Sequence, residues 1–120
     1  MSCVLRITGP QLERALRDLT IEPYRVEGDD AHFLVSDSDL GDFTGQVRDA
    51  IAFLGSHSQD LERLTALPEV RGILDFGLAW RDVAAQVDSL PAELVRRAAE
   101  FGFSIELSHY PVSAENSGGA

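Results

Sequence analysis

A cluster of polar residues in the C-terminal half has the side-chain types that binding or catalysis requires. Its members are carboxylates, one guanidinium and one amide: Asp75, Arg81, Asp82, Gln86 and Asp88. Such groups pair readily, so the first interpretation is an internal network of hydrogen bonds that fixes a turn. The second interpretation is a recognition surface for a partner, and the third is an enzyme site built from the same residues.

Strand alternation indicates which side of a sheet this cluster occupies. Leu74 and Phe76 alternate with Asp75, so its carboxylate is expected to point away from the core. In the recognition interpretation, three polar residues near the end of the last predicted strand join the same uncovered face: Glu106, Ser108 and Tyr110.

Motifs for other chemistry are missing from the sequence. It contains no G-x-S-x-G nucleophile elbow, no phosphate loop and no dinucleotide fingerprint. The three histidines, His32, His57 and His109, lack the i,i+4 spacing of a helical metal site. His32 and His109 could still meet across a sheet. Three aspartates do not fit a calcium loop and are expected to shape a turn and cap a helix: Asp37, Asp39 and Asp42. We predict no metal and no cofactor.

Charge narrows the choice of partner. The 120 residues include 20 acidic and 10 basic ones, for a net charge of −10, and every basic residue is arginine. Nucleic acids and anionic membrane surfaces are disfavoured, because both bind through positive charge. The acidity either keeps the protein dispersed or steers a basic partner towards it. No signal peptide and no apolar run of about 20 residues occurs, which predicts a cytoplasmic protein without a membrane span.

Hydrophobic periodicity predicts the order β-α-β-β-α-α-β-α-β. Strands are expected over residues 2–8, 23–27, 31–36 and 70–80, with a last one from 103 towards Pro111. In the first strand the apolar Cys3, Leu5 and Ile7 alternate with Val4, Arg6 and Thr8. The turn signal Gly28-Asp29-Asp30 is expected to join the second and third strands in a hairpin.

Helices are expected over 10–19, from 42 to 67 with a break near 55–58, and from Pro91 to Gly102 with Ser89 as its cap. A bulge at Arg81 and Asp82 is expected to let the fourth strand continue over 83–87.

This order predicts an α+β fold, with a mainly antiparallel five-stranded sheet and helices packed on one of its faces. Residues 1–111 are expected to form a single domain, followed by a flexible C-terminal tail over 112–120. Trp80 continues the apolar face of the fourth strand, so we expect it in the core. Cys3, the sole cysteine, cannot form an intrachain disulfide and is expected to be a small buried residue.

The C-terminal half also carries a distinctive string of residues: Leu74-Asp75-Phe76-Gly77, Trp80-Arg81-Asp82-Val83-Ala84, Gln86, Asp88, Leu90-Pro91, Glu93-Leu94, Gly102 and Glu106-Leu107-Ser108-His109-Tyr110-Pro111. This string resembles a family of small bacterial proteins that is known mainly as a domain of unknown function. The family is thought to include immunity-type proteins of polymorphic toxin systems. The resemblance implies a protein partner and brings no catalytic residues.

Three function hypotheses follow from these observations. The leading one is a non-enzymatic, acidic protein-binding module. In its immunity-type form, this module would bind a basic toxin domain and occlude it. The second is a small-molecule-binding or hydrolytic enzyme with a pocket on the open sheet face. The third is a homo-oligomeric structural module that associates through the edge strand near the predicted hairpin.

Overall fold

The computed structural model describes residues 1–111 of the chain. Their helices and strands follow the predicted order: β1 (Cys3–Thr8), α1 (Leu12–Leu16), β2 (Arg25–Glu27), β3 (Asp30–Ser36), α2 (Phe43–Ser56), α3 (Ser58–Thr65), β4 (Arg71–Trp80), α4 (Ala92–Glu100) and β5 (Ser104–Pro111). The strands form one five-stranded sheet in the order β2-β3-β1-β4-β5. The α+β class is confirmed.

β1 forms the centre of the sheet and pairs antiparallel with both β3 and β4. Its inward side chains, Cys3, Leu5 and Ile7, are fully buried, while the residues between them are partly exposed. The alternation predicted for the first strand is therefore confirmed. Burial raises the pKa of the Cys3 thiol, with smaller contributions from nearby carboxylates, so this cysteine is a packing residue.

Two connections decide how the outer strands pair. β2 and β3 form the predicted hairpin, closed by a tight turn in which Gly28 has a φ of 56° that suits glycine. β5 instead lies parallel to β4, because α4 carries the chain back along the sheet between them. The sheet is thus mixed but mostly antiparallel, as predicted.

The helices cover a single face of the sheet. Strand residues such as Phe33 and Phe76 belong to the same buried cluster as the helix residues Leu54 and Leu94. The strand residues between the buried ones, such as His32 and Asp75, point to the opposite face and are partly exposed. That face of the sheet is therefore open. This arrangement confirms the predicted layer of helices on one face.

The ends of α2 agree with the predicted helix signals. Asp42 caps its N-terminus by accepting a hydrogen bond from the backbone N–H of Gly45 at 2.9 Å. The helix ends before His57, and α3 begins directly after it, within the predicted interval. The first helix was predicted too long, because α1 continues only to Leu16 and the chain then turns away.

The segment between β4 and α4 differs from its prediction. Residues 81–91 form an irregular loop, and the predicted strand over 83–87 and its bulge are absent from it. The predicted cap Ser89 is also wrong, because the N-cap position of α4 is Pro91, which makes no side-chain capping bond. Apolar residues in this loop therefore do not share the strand periodicity that the sequence suggested.

Within the part that the structure describes, no helix has the length and hydropathy needed to cross a membrane. The predicted tail over 112–120 lies outside the described residues.

Asp60 on α3 holds the loop that precedes β2. Its Oδ2 accepts hydrogen bonds from the Thr20 hydroxyl at 2.7 Å, the Thr20 N–H at 3.1 Å and the Ile21 N–H at 2.9 Å. The Thr20 hydroxyl is the main reason that the pKa of Asp60 is lowered. A carboxyl with a lowered folded-state pKa stabilises the fold above its unfolded-state pKa of about 3.9, and this contribution is lost as the pH falls further.

We therefore expect Asp60→Ala to lower the urea midpoint at pH 7 and to flatten the loss of stability below pH 4. Asp18→Ala removes the same charge from an exposed position two residues before Thr20 and serves as the control. An equal shift in both variants would show that the effect comes from net charge and not from the hydrogen bonds to Asp60.

Candidate functional site

The open face of the sheet carries an ion-pair network centred on Arg6. Its Nη1 lies 2.8 Å from Oδ2 of Asp75, and its Nη2 lies 2.8 Å from Oε2 of Glu106. The Ser108 hydroxyl donates to the other oxygen of Asp75 at 2.7 Å. We call Arg6, Asp75, Glu106 and Ser108 the Arg6 network. It joins three adjacent strands, β1, β4 and β5.

Strand geometry brings these residues together. Leu5 and Ile7 point into the core, so Arg6 between them must point out. Asp75 is level with Val4 on β1 and with Glu106 on β5, which places both carboxylates within reach of the Arg6 guanidinium. Partial burial lowers the pKa of Arg6, but its bonds to the two carboxylates outweigh this effect and raise it.

A concavity of about 390 Å³ adjoins this network. We call it the face concavity. Ten residues line it: Met1, Ser2, Val4, Arg6, Tyr24, His32, Leu40, Asp75, Gly77 and Tyr110. The ring of Tyr24 meets the ring of His32 edge-on, with centroids 6.1 Å apart. A volume of this size lies at the lower end of the range for small-ligand pockets.

Exposed apolar side chains lie at the end of β4 and in the loop that follows it. We call them the apolar end: Trp80, Val83, Val87 and Leu90. The prediction that Trp80 is a core residue is wrong, because 46% of it is exposed. Its ring packs edge-on against His109, with centroids 5.5 Å apart. Tyr110 is level with Ala79 and lies on the open face beside the face concavity, whereas Trp80 lies on the opposite face of the sheet.

Gln86 holds the loop of the apolar end against β4. Its Nε2 donates to the Ala79 carbonyl at 2.9 Å and to Asp88 at 3.1 Å, and its Oε1 accepts from the Arg81 N–H at 3.1 Å. Of the internal network that the sequence offered as its first interpretation, the structure contains the bond between Gln86 and Asp88. The side chains of Arg81 and Asp82, however, take part in none of the ion pairs formed within residues 1–111.

The structure thus divides the predicted polar cluster into two groups. Asp75 joins Glu106 and Ser108 on the open face, while Arg81, Asp82, Gln86 and Asp88 lie in the loop after β4. Tyr110 stands between the two groups on β5. The sequence reasoning missed Arg6 as a site residue, although its position on the outward face of the first strand was already evident.

The histidines and the possibility of a metal site were the other candidates from the sequence. His32 lies on β3 and His109 lies on β5, and β1 and β4 separate these two strands. The two histidines therefore do not meet across the sheet. In the described part of the chain, no group of three or more histidine, cysteine, aspartate or glutamate residues is arranged to hold a metal ion.

Comparisons with family models, curated proteins and solved structures found no match to this chain. The resemblance to a bacterial family with immunity-type members therefore stays a prediction.

Proposed function

We propose that this protein is a non-enzymatic binding module that contacts a partner protein through the apolar end. The observation that carries this proposal is the exposure of Trp80, which packs edge-on against His109 at the end of the sheet. Large aromatic side chains of this kind dominate the energetics of protein interfaces, because each buries a large area at a small entropic cost. The loop that presents the neighbouring valines is held in place by Gln86, which limits the ordering that binding requires.

The charge of the chain indicates the kind of partner. The net charge is −10, and two acidic residues of the loop, Asp82 and Asp88, flank the apolar side chains. An apolar centre with an acidic rim suits a basic protein, which the field of the chain would steer towards the site. In the narrower, immunity-type form of the proposal, the partner is a basic toxin domain whose substrate-binding cations are occluded by these carboxylates.

The face concavity favours a second candidate function, namely small-molecule binding or hydrolysis on the open face. Its polar groups are already engaged with one another, since Arg6 bonds to two carboxylates and Asp75 also accepts from Ser108. The oligomeric alternative has less support, because β2 is a three-residue edge strand with Arg25 and Glu27 at its ends. Short, charged edge strands discourage strand pairing between molecules.

The test begins with capture of the partner on the tagged chain from native lysate at low and high salt. The purified partner is then titrated against the wild type and Trp80→Ala. We expect Trp80→Ala to weaken binding by about tenfold or more, as for an interface hot spot. High salt should slow association, because steering is screened.

Val26→Ala provides the matched control, since Val26 is 44% exposed but lies on β2 at the opposite edge of the sheet. It should leave the affinity unchanged. Equal affinities of the wild type and Trp80→Ala would show that the apolar end is not the contact surface. The immunity-type form further requires that stoichiometric amounts of this protein abolish the activity of a toxic partner.

A further inference from the structure

The two edges of the sheet differ in how accessible they are to another strand. One edge is β2, which has three residues and carries Arg25 and Glu27 at its ends. The other edge is β5, which has eight residues, and Glu106 is its one acidic side chain. Short length and charge discourage pairing between molecules, so β2 is protected and β5 is not.

The outer side of β5 presents free backbone groups. The pairing of β5 with β4 is regular and parallel from Ser104 to Pro111, without a bulge. Within residues 1–111, the backbone of β5 bonds to no strand other than β4. Alternate residues of a strand direct their N–H and C=O groups to opposite sides, so every second residue of β5 presents these groups outward. An unpaired row of this kind accepts an added strand.

An apolar flank of α4 lies beside the same edge. α2 packs on β3 and on α4, so it lies on the inner side of α4. Arg97 of α4 points towards α2, because a Cβ atom added to Gly55 would lie 3.6 Å from its Nη1. At about 100° per residue, Val95 and Ala99 fall on the opposite flank of α4, towards the β5 edge. Both residues are exposed, Val95 to 45%.

The sequence of β5 is complementary to itself in an antiparallel pair. Residues that face each other in such a pair lie on the same side of the sheet, so a two-fold axis passes through one residue position. An axis at Glu106 would oppose two carboxylates, which is destabilising. An axis at Leu107 places Glu106 opposite Ser108 of the second copy, and Ile105 opposite its His109. No like charges then meet along the strand.

The available area suits a dimer that forms at high protein concentration. The eight residues of β5 span about 26 Å, and the sheet and helix layers are each about 10 Å thick. The contact therefore covers roughly 500 Å² on each copy, or roughly 1,000 Å² in total, which is near the lower limit for a specific interface.

We propose that two copies of this chain associate through β5, antiparallel and about a two-fold axis at Leu107, to form one continuous sheet. The axis is perpendicular to the sheet, so both helix layers lie on the same side, and Val95 and Ala99 of the two α4 helices pack across it. Trp80 lies on β4, one strand in from this edge, so the proposed contact with a partner protein does not depend on the dimer.

Sedimentation equilibrium of the full chain tests the association at protein concentrations from about 1 μM to about 1 mM. We expect the mass to rise from that of one chain towards that of two. Each copy has a net charge of −10, so added salt should strengthen the dimer by screening repulsion. This salt dependence is opposite to the one expected for a basic partner. The mass of a single chain at every concentration and salt would overturn the inference.

Two valine variants test the position of the interface. Val95→Glu places two carboxylates on the facing helix flanks and should weaken the dimer by about tenfold or more. Val26→Glu makes the same charge change at a residue that is 44% exposed on β2, at the opposite edge, and should weaken it by less than about twofold. Equal effects of the two variants would mean that net charge governs the association, which rules out the α4 flank as the contact.

Amide hydrogen exchange of the wild type locates the interface without a substitution. Alternate amides from Ser104 to Tyr110 should become protected as the protein concentration rises, because their outward N–H groups gain acceptors. The amides of β2 should exchange at the same rate throughout. A dimer that protects β2, or that leaves the exchange of β5 unchanged, contradicts pairing through β5.

Discussion

Gln46→Glu is expected to destabilise the fold by about 3–5 kcal/mol at pH 7.5, the cost of leaving an uncompensated charge in the interior. Gln46 is fully buried on α2. Its Nε2 donates to the Gly77 carbonyl at 2.8 Å and to the Asp39 carbonyl at 3.3 Å. These two carbonyls fix the orientation of the amide, because only its NH₂ group can donate to them. A carboxylate at this position would instead place negative charge against both oxygens.

The loss should depend on pH in a defined direction. Burial raises the folded-state pKa of a glutamate above its unfolded-state value of about 4.3. The variant's deficit is therefore small below about pH 4, where its carboxyl is protonated and can donate to Gly77. The deficit grows as the pH rises above the unfolded-state value. Urea unfolding of the variant and the wild type, compared at pH 4 and at pH 7.5, measures this change.

Gln46→Met separates charge from the loss of hydrogen bonds. It keeps a similar volume and cannot titrate, so we expect a deficit of about 1–3 kcal/mol that is the same at both pH values. Gln46 Oε1 has no hydrogen-bond partner within the described residues, so little is lost on the acceptor side. A glutamate variant whose deficit does not change with pH would contradict a buried position for this side chain.

Local rules were sufficient for much of the fold. Alternation of apolar residues identified β1, and Asp42 and Gly28 carried the cap and turn signals that the structure confirms. These features depend on neighbours a few residues away, which is why periodicity and turn chemistry reveal them. The order of all the elements followed from the same reasoning.

Trp80 shows where local rules stop. It continues the alternation of Leu74 and Phe76, yet β1 pairs with β4 only as far as Phe76. Beyond that point β4 extends past the central strand, and Trp80 has only β5 beside it in the sheet. Burial at a strand end depends on the relative lengths of neighbouring strands, and the periodicity of one segment does not contain this information.

The candidate site was predicted in part for the same reason. Asp75, Glu106 and Ser108 were assigned to the open face from alternation alone, and the structure places them there. Their meeting with Arg6 needs the pairing of β4 with both β1 and β5, which joins residues about a hundred positions apart in the chain. The parallel pairing of β5 was not evident from the sequence, because the order of elements does not fix sheet topology.

Gly72→Ala is expected to destabilise the fold by about 1–3 kcal/mol, the usual cost of forcing extra atoms into a packed interior. Gly72 lies on the core face of β4 beneath the ring of Phe103. A Cβ atom at this position would lie 2.2 Å from Cδ1 and 2.4 Å from Cε1 of that ring. The ring cannot simply swing away, because it is stacked on Phe101 with centroids 5.4 Å apart. Denaturant unfolding of the variant measures the loss.

A double-mutant cycle with Phe103→Leu identifies the cause of that loss. The smaller side chain makes room for the added methyl group, so the two substitutions together should cost less than the sum of their separate effects by about 1 kcal/mol. Gly41→Ala is the matched control, because a Cβ atom there meets no other atom within 4 Å, and its stability should stay within about 0.5 kcal/mol of the wild type. Additive effects in the cycle would mean that Phe103 does not pack on Gly72. The contact would then no longer explain why β4 carries a glycine on its core face.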